Sequence, residues 1–235
     1  MKLEVKYFMQ EIYNLQKEWF ESNGPLSVDF RLSKLSLLEK AIKSHEKSLF
    51  KAIEADLGKV EYETYMTELA LIYREIRTLS HFLKSKGLKR RVKNNLLIGS
   101  STKIELQARG QVLIIAPFNY PIQLSLLPLV GSIASGNVTV LKLSEHVPNT
   151  NKVIKELISS VFDEAYVSVV EGGKEVVSDL LRLSHDLIFF TGSTQVGKIV
   201  MEAASKTLTP VVLELGGKSP AVIFDDSDLK NAAKK

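Results

Sequence analysis

The sequence has 235 residues, 45% of them hydrophobic and 25% charged, a composition typical of globular proteins with a substantial buried core. Its formal net charge is +4 and it contains no cysteine, which excludes disulfides, thiolate metal sites and a thiol nucleophile within these residues. The four histidines are too scattered for metal-ligand spacing, so we expect no metal site. With no signal peptide and no apolar run of membrane-spanning length, we expect a cytoplasmic protein without a membrane span.

The first hundred residues carry a helical pattern. Apolar residues recur at helical spacing over residues 5–19, 35–57 and 62–83, and Gly58 and Gly87 are plausible helix ends. These segments predict an N-terminal helical region, residues 1–100, whose aromatic and methionine side chains form a packing surface.

A basic cluster follows the last of these helices. It consists of Lys86, Lys89, Arg90, Arg91 and Lys93. Because no aromatic residues interleave the cluster, we expect a solvated helix end or loop and no nucleic-acid partner. Beyond it, apolar and polar residues alternate over residues 103–109, which predicts a half-exposed strand.

From residue 111 onward, strand and helix patterns alternate. Predicted strands cover residues 112–116, 138–141, 166–170 and 187–190, predicted helices cover 121–135, 151–162, 174–183 and 195–208, and short strands at 211–215 and 221–224 close the chain. Such alternation requires a parallel sheet with right-handed crossovers. The predicted fold class is therefore α/β, a Rossmann-like open parallel sheet with flanking helices over residues 101–210, preceded by the N-terminal helical region.

The turn Thr191-Gly192-Ser193 joins the predicted strand 187–190 to the helix that follows it. Gly192 can form a tight turn, Ser193 or Thr194 can cap the helix, and Gly197 lets the first helical turn lie close to its strand. A helix N-terminus delivered to the sheet edge in this way favours anion binding, although the three-glycine dinucleotide fingerprint is absent. The turn either binds phosphate or only connects two elements.

Four further residues lie near the ends of predicted strands. Lys142 and Glu145 either belong to a solvated loop or hold the two hydroxyls of a ribose. Asn119 either orders the turn before Pro121 or donates its amide to an oxyanion. Glu214, in an apolar strand, is either a buried carboxylate that accepts a proton or a residue that points to solvent.

Four motifs, in this order along the chain, resemble those of the NAD(P)-dependent aldehyde dehydrogenase family. They are Ala116-Pro117-Phe118-Asn119-Tyr120-Pro121, Gly136-Asn137-Val138-Thr139-Val140-Leu141-Lys142, Phe190-Thr191-Gly192-Ser193-Thr194 and Leu213-Glu214-Leu215-Gly216-Gly217-Lys218-Ser219-Pro220. The short N-terminal region and the form Asn119-Tyr120-Pro121 are similar to the class 3 branch, which oxidises medium-chain, fatty and aromatic aldehydes.

The resemblance implies NAD or NADP as cofactor and a role for each motif residue. Asn119 would stabilise the oxyanion of a thiohemiacetal, and Glu214 would activate the deacylating water. Lys142 and Glu145 would hold the adenosine ribose, and the turn containing Thr191, Gly192, Ser193 and Gly197 would approach the pyrophosphate. Leu143 stands where the family commonly has proline, so we expect a looser turn around Glu145.

The family's nucleophile is a cysteine a few dozen residues beyond the glutamate, and these 235 residues contain none. We therefore expect the cofactor-binding part of an aldehyde dehydrogenase, with residues 211–235 as the start of a truncated catalytic domain. Such a chain is expected to be inactive alone, to act on an aldehyde only when a catalytic half completes it, and to self-associate or pair with another chain.

Two alternatives stay open from the sequence. One is a non-catalytic interaction protein, or half of a split enzyme, that uses residues 103–109 and exposed inner surfaces to bind a complementary or full-length chain. The other is a module that only binds NAD.

Overall fold

The computed structural model describes residues 2–85, 88–93 and 100–234, with side chains from Tyr7 onward. The helices are α1 (Lys2–Asn23), α2 (Val28–Leu57), α3 (Glu61–Thr64), α4 (Ala70–Lys84), α5 (Pro121–Ser135), α6 (Pro148–Ser159), α7 (Lys174–Leu180), α8 (Thr194–Ser205) and α9 (Leu229–Ala232). A π-helical segment, Tyr65–Leu69, joins α3 to α4. The strands are β1 (Lys89–Val92), β2 (Thr102–Glu105), β3 (Gln111–Ile115), β4 (Val138–Lys142), β5 (Val167–Val170), β6 (Leu187–Gly192) and β7 (Val211–Leu215).

Strands β3 to β7 form a parallel sheet in the order β5-β4-β3-β6-β7. Every residue of β3 and β4 is buried, as expected for central strands covered on both faces. Helices α2, α4, α5 and α6 share one core with alternate residues of these strands, such as Val112 and Ile114. Helices α1, α7 and α8 share the opposite core with the intervening residues, such as Leu113 and Ile115. The predicted α/β fold, an open parallel sheet between helices, is confirmed.

Two carboxylates of the N-terminal helical region cap the N-termini of helices in the sheet region. Helices α5 and α6 both begin with a proline, and their own N-cap residues, Tyr120 and Val147, make no side-chain cap. Glu68 accepts hydrogen bonds from the N–H groups of the second and third residues of α5, at 2.8 and 3.1 Å. Asp56 accepts from the same two positions of α6, at 3.2 and 2.7 Å. A carboxylate at a helix N-terminus satisfies free N–H groups and opposes the positive end of the helix dipole, so both contacts stabilise the sheet helices.

Two predicted segments differ from the structure. The basic residues 89–91 form strand β1 and not a helix end or loop, because β1 pairs antiparallel with β2, and Lys89 forms a 2.6 Å ion pair with Glu105 across that pair. The strand expected over residues 103–109 covers only Thr102–Glu105 and is exposed along its length. Lys86 and Gly87, also named in the predictions, lie outside the described residues.

The predicted strand 221–224 is also wrong. These residues form no strand and are exposed. Strand β7 ends at Leu215, and among the described residues it pairs only with β6, so residues 221–224 have no strand partner. The sheet thus ends at β7. The division of the chain at residues 100 and 210 stays a prediction.

Candidate functional site

A cavity of about 610 Å³ opens at the carboxyl edge of the sheet, between α5 and the ends of β6 and β7. Residues 117–119 after β3, 191–193 after β6 and 214–216 at the end of β7 line it, together with one face of α5. The chain leaves β3 toward β4 and β5 on one side and returns to β6 on the other, so β3 and β6 flank the point where the strand order reverses. Ligands of open α/β sheets bind at such a point.

Asn119 lies on the loop between β3 and α5, and it is exposed at the mouth of the cavity. Pro121 begins the helix directly after this loop. A proline at the first helical position disfavours helical backbone in the residue before it, so the chain turns sharply at Tyr120. Asn119 thus lines the cavity, and its two interpretations, a residue that orders the turn and a donor to an oxyanion, stay predictions.

The turn after β6 delivers α8 to the same cavity. Ser193 is the N-cap residue, and its hydroxyl oxygen accepts a hydrogen bond from the N–H of Val196 at 3.3 Å. The first residues of α8 carry N–H groups that have no acceptor within the helix. Of α5, α6 and α8, α8 is the helix whose N-terminus carries no remote carboxylate among the described residues. Among the described residues, the N-terminus of α8 thus has no remote carboxylate that would compete with an external anion.

Thr191 and Glu214 face each other across β6 and β7, and both line the cavity. The Thr191 hydroxyl is buried and has no hydrogen-bond partner within the described part of the chain. Such an orphaned polar atom is satisfied by a ligand or by water. Glu214 is exposed in the cavity, so the buried-carboxylate interpretation is wrong and the solvent-facing one is confirmed.

Gly192 and Gly197 both lie close to neighbouring side chains. Gly192 ends β6 without a positive φ, and a Cβ there would lie 2.6 Å from the tip of the Phe190 ring. A Cβ on Gly197 would lie 2.6 Å from the Cδ2 atom of Leu215, so this glycine gives the first turn of α8 room beside a β7 side chain. At both positions the atoms nearest to an added Cβ belong to side chains.

Lys142 and Glu145 form a pair at the end of β4, outside the lining of the cavity. The Lys142 ammonium is 2% exposed, donates to the Leu143 carbonyl at 2.6 Å and lies 3.7 Å from Glu145 Oε2. Burial lowers the pKa of Lys142 below its ordinary value, and the Glu145 carboxylate opposes that shift. The Glu145 side chain is 43% exposed, so it is the member of the pair that reaches solvent.

Leu143, which begins the turn that carries Glu145, is hydrogen-bonded to β5. The N–H of Leu143 donates to the Val170 carbonyl at 3.0 Å, and the Leu143 side chain is buried. A proline at this position has no N–H to donate. This bond anchors Leu143 itself, and the looser turn around Glu145 stays a prediction.

The sequence analysis missed two residues, Lys59 at the Asn119 loop and Glu68 at the first turn of α5. Lys59 donates to the Asn119 carbonyl at 2.7 Å and to Glu68 at 2.9 Å. Glu68 occupies a buried position four residues before Ile72 on the apolar face of the π-helical segment and α4. A carboxylate on an apolar helical face is a signal that the sequence does carry.

Residues 2–85, 88–93 and 100–234 contain neither a metal-binding cluster nor a membrane-spanning helix. No group of three or more histidine, cysteine, aspartate or glutamate side chains there could hold a metal ion. Among the same residues, no helix is both long and apolar enough to cross a membrane. Most of the site residues predicted from the sequence lie in two places, the cavity lining and the Lys142 and Glu145 pair.

Comparison with known proteins places this site in a family. The model of the aldehyde dehydrogenase family matches residues 4–235. The chain is 42% identical to the 4,4'-diaponeurosporen-aldehyde dehydrogenase of Staphylococcus aureus, with 96% of the chain and 49% of that protein covered. It is also 42% identical to mouse aldehyde dehydrogenase family 3 member B3, with 93% and 46% covered. The chain thus spans about half the length of the relatives it matches.

Solved structures give the same result. The substrate-bound state of Staphylococcus aureus AldH superposes with a TM-score of 0.89 at 42% identity, covering 96% of this chain and 49% of that one. Betaine aldehyde dehydrogenase of Staphylococcus aureus in complex with NAD⁺ superposes with a TM-score of 0.83 at 28% identity, covering 97% and 46%. The resemblance carried by the four sequence motifs is therefore confirmed, and the chain belongs to the aldehyde dehydrogenase family.

Proposed function

We propose that this chain is the NAD(P)-binding part of an aldehyde dehydrogenase and that it contributes two groups to the active site. The carrying observation is that Asn119, the α8 turn and Glu214 line one cavity at the point where the strand order reverses. The NAD⁺ complex of the betaine aldehyde dehydrogenase relative supports the choice of cofactor.

The residues of the turn and of β4 fit a dinucleotide. The α8 N-terminus offers backbone N–H groups to the pyrophosphate, and the orphaned Thr191 hydroxyl lies beside it in the cavity lining. Glu145 would accept hydrogen bonds from the adenosine ribose hydroxyls, while Lys142 holds its carboxylate in place. When bound, the nicotinamide accepts the hydride that leaves the aldehyde carbon.

Asn119 and Glu214 would act at different steps of the reaction. The Asn119 amide can donate a hydrogen bond to an oxygen that becomes negatively charged after a nucleophile attacks the aldehyde. Glu214, exposed in the same cavity, can take a proton from the water that later releases the acid. Neither group forms the covalent bond to the aldehyde.

A polypeptide of these 235 residues should therefore not oxidise aldehydes by itself. The covalent step needs a thiolate, the sequence contains no cysteine, and a hydroxyl is a poor substitute without an activating base. We expect no NADH formation from benzaldehyde or from a medium-chain aldehyde with protein from a host that lacks its own aldehyde dehydrogenases. Turnover above about 1 s⁻¹, within the usual range of enzymes, would contradict this expectation.

Calorimetric titration with NAD and with NADP tests the proposal. We expect one of them to bind with a Kd of about 1 mM or tighter, equivalent to roughly −4 kcal/mol. Glu145→Ala should weaken binding, because Glu145 is the exposed member of the ribose pair. The matched control is Glu202→Ala, which removes an exposed carboxylate near the other end of α8. If neither dinucleotide binds, the proposal fails.

An interaction protein, or one half of a split enzyme, is the second candidate. It is favoured by the exposed apolar side chains of Val222, Ile223 and Phe224, which follow the edge strand β7. Exposed apolar patches mark surfaces that bind other protein. Self-association, or pairing with a chain that carries the cysteine, would cover these residues.

A further inference from the structure

Glu68 lies at an unusual place in the N-terminal helices. It belongs to the π-helical segment between α3 and α4, and its side chain is fully buried. Its Oε2 atom accepts the hydrogen bonds from the N–H groups of Ile122 and Gln123, in the first turn of α5. Insertions of this π type are often found at functional sites, and here the segment carries a buried carboxylate to the start of α5.

Lys59 neutralises that carboxylate and extends the contact to the loop. Its ammonium lies 2.9 Å from Glu68 Oε1, 2.7 Å from the Asn119 carbonyl oxygen and 3.8 Å from the centroid of the Tyr120 ring. The ion pair is 12% exposed at Lys59 and buried at Glu68, so water screens it little. The ammonium thus makes three contacts, and two of them are with the loop.

These contacts hold the backbone on the C-terminal side of the Asn119 side chain. Lys59 holds the peptide at Asn119 itself, and Glu68 holds the backbone three and four residues later. Between them the loop has few backbone torsions left free, because Pro121 also fixes its own φ. We propose that Lys59 and Glu68 are positioning residues, which set where the Asn119 amide points in the cavity. This inference rests on the proposed role of Asn119.

A simpler interpretation is that Glu68 only stabilises α5. Asp56 provides the matched comparison, because it accepts hydrogen bonds from the same two positions of α6 and does not belong to the cavity lining. Removing either carboxylate deprives a proline-started helix of its remote cap. Only the loss of Glu68 or Lys59 should disturb Asn119.

The test uses the 235-residue chain and four variants, Glu68→Gln, Lys59→Met, Lys59→Arg and Asp56→Asn. Hydrogen exchange measured by mass spectrometry follows residues 117–124. Glu68→Gln and Lys59→Met should speed exchange there by about ten-fold or more, as expected for loss of a charge-assisted hydrogen bond. Asp56→Asn should speed exchange only around residues 147–151. Lys59→Arg keeps the cation and should restore most of the protection.

The side-chain amide of Asn119 gives the readout that a merely structural cap would not move. Its NMR signal is identified by its loss in Asn119→Ala. We expect the signal to shift in Glu68→Gln and Lys59→Met and to stay in place in Asp56→Asn. An unchanged Asn119 signal in the first two variants would overturn the proposal, as would equal acceleration of exchange over the whole chain. Neither readout depends on NAD, so failure here is distinct from failure of dinucleotide binding.

Discussion

Gly136 and Gly197 both stand beside helix boundaries, yet the structure requires glycine much more strictly at Gly136. Gly136 ends α5 with φ of 84°, and a Cβ there would lie 2.8 Å from the guanidinium of the buried Arg31. Arg31 cannot withdraw, because its Nε donates to the Leu26 carbonyl at 2.9 Å. At Gly197 the nearest atom belongs to Leu215, whose exposed side chain can turn away.

We therefore expect Gly136→Ala to lower the free energy of unfolding by about 2 kcal/mol or more, from left-handed strain and displacement of Arg31. Gly197→Ala should stay within about 1 kcal/mol of the wild type, because alanine is the better helix former. Urea unfolding of both variants measures the difference. Equal losses would show that the contact with Leu215 is as rigid as the contact with Arg31.

His185 predicts a pH dependence of stability. It is buried, its Nε2 lies 3.1 Å from the Leu180 carbonyl, and its Nδ1 has no hydrogen-bond partner in the described chain. Burial lowers the pKa of His185 to about 4, against an ordinary value of 6.5. The folded protein thus keeps His185 neutral at pH values where the unfolded chain binds a proton.

Stability should therefore fall as the pH falls from 6.5 to 4, since unfolding takes up a proton in that range. The contribution of His185 is at most about 3 kcal/mol, at 1.36 kcal/mol per pKa unit. His185→Gln removes the titrating group and keeps a donor for Leu180. Its free energy of unfolding, measured by urea denaturation at several pH values, should depend less steeply on pH. Parallel curves for the variant and the wild type would contradict the assignment.

At the scale of elements, a helix end marked by proline or glycine could be predicted from the sequence. A strand that lacks apolar alternation and depends on its pairing partner could not. Helix α5 has the predicted bounds, because Pro121 and Gly136 fix both ends from within the sequence. Strand β1 has no apolar alternation, and it forms because β2 pairs with it from beyond residue 100. Residues 221–224 have strand-like composition but no neighbouring strand.

Remote capping is the element-scale feature that local signals could not give. Glu68 and Asp56 lie 54 and 94 residues before N–H groups that they accept from, at Ile122 and Thr150. We expect Asp56→Ala to lower the free energy of unfolding by about 1–2 kcal/mol, the usual cost of a lost N-cap. Urea denaturation measures this loss, and the slope of the transition should not change. A loss below a few tenths of a kcal/mol would mean that water caps α6 equally well.

At the scale of the molecule, the segment that follows β7 has an uncovered apolar surface. Val222, Ile223 and Phe224 are 74%, 55% and 70% exposed. We expect the chain to self-associate in sedimentation experiments as its concentration rises, and the double variant Val222→Lys/Phe224→Lys to shift it toward the monomer. Tyr62→Lys, at an exposed aromatic residue of α3, is the control and should have no effect. A wild-type chain that stays monomeric at all concentrations would contradict this prediction.

The sequence indicates which residues lie at the sheet edge, but it does not indicate which of them line the same cavity. Each motif follows or ends a predicted strand, and a parallel sheet brings such positions to one edge, so the sequence locates Asn119, the turn 191–193 and Glu214 near each other. Which of them share a cavity depends on strand order, and the sequence does not specify that Lys142 and Glu145 form a separate pair. Lys59 was missed because its contact with Asn119 spans 60 residues.

A nicotinamide dinucleotide is expected to bind across this sheet edge, and the structure of the chain crystallised with NAD tests this proposal most directly. We predict the pyrophosphate at the N–H groups of the first turn of α8, beside Thr191, and the adenosine ribose hydroxyls on Glu145. The nicotinamide end should enter the cavity that Asn119 and Glu214 line. A dinucleotide bound elsewhere, or no dinucleotide at millimolar NAD, would contradict the account.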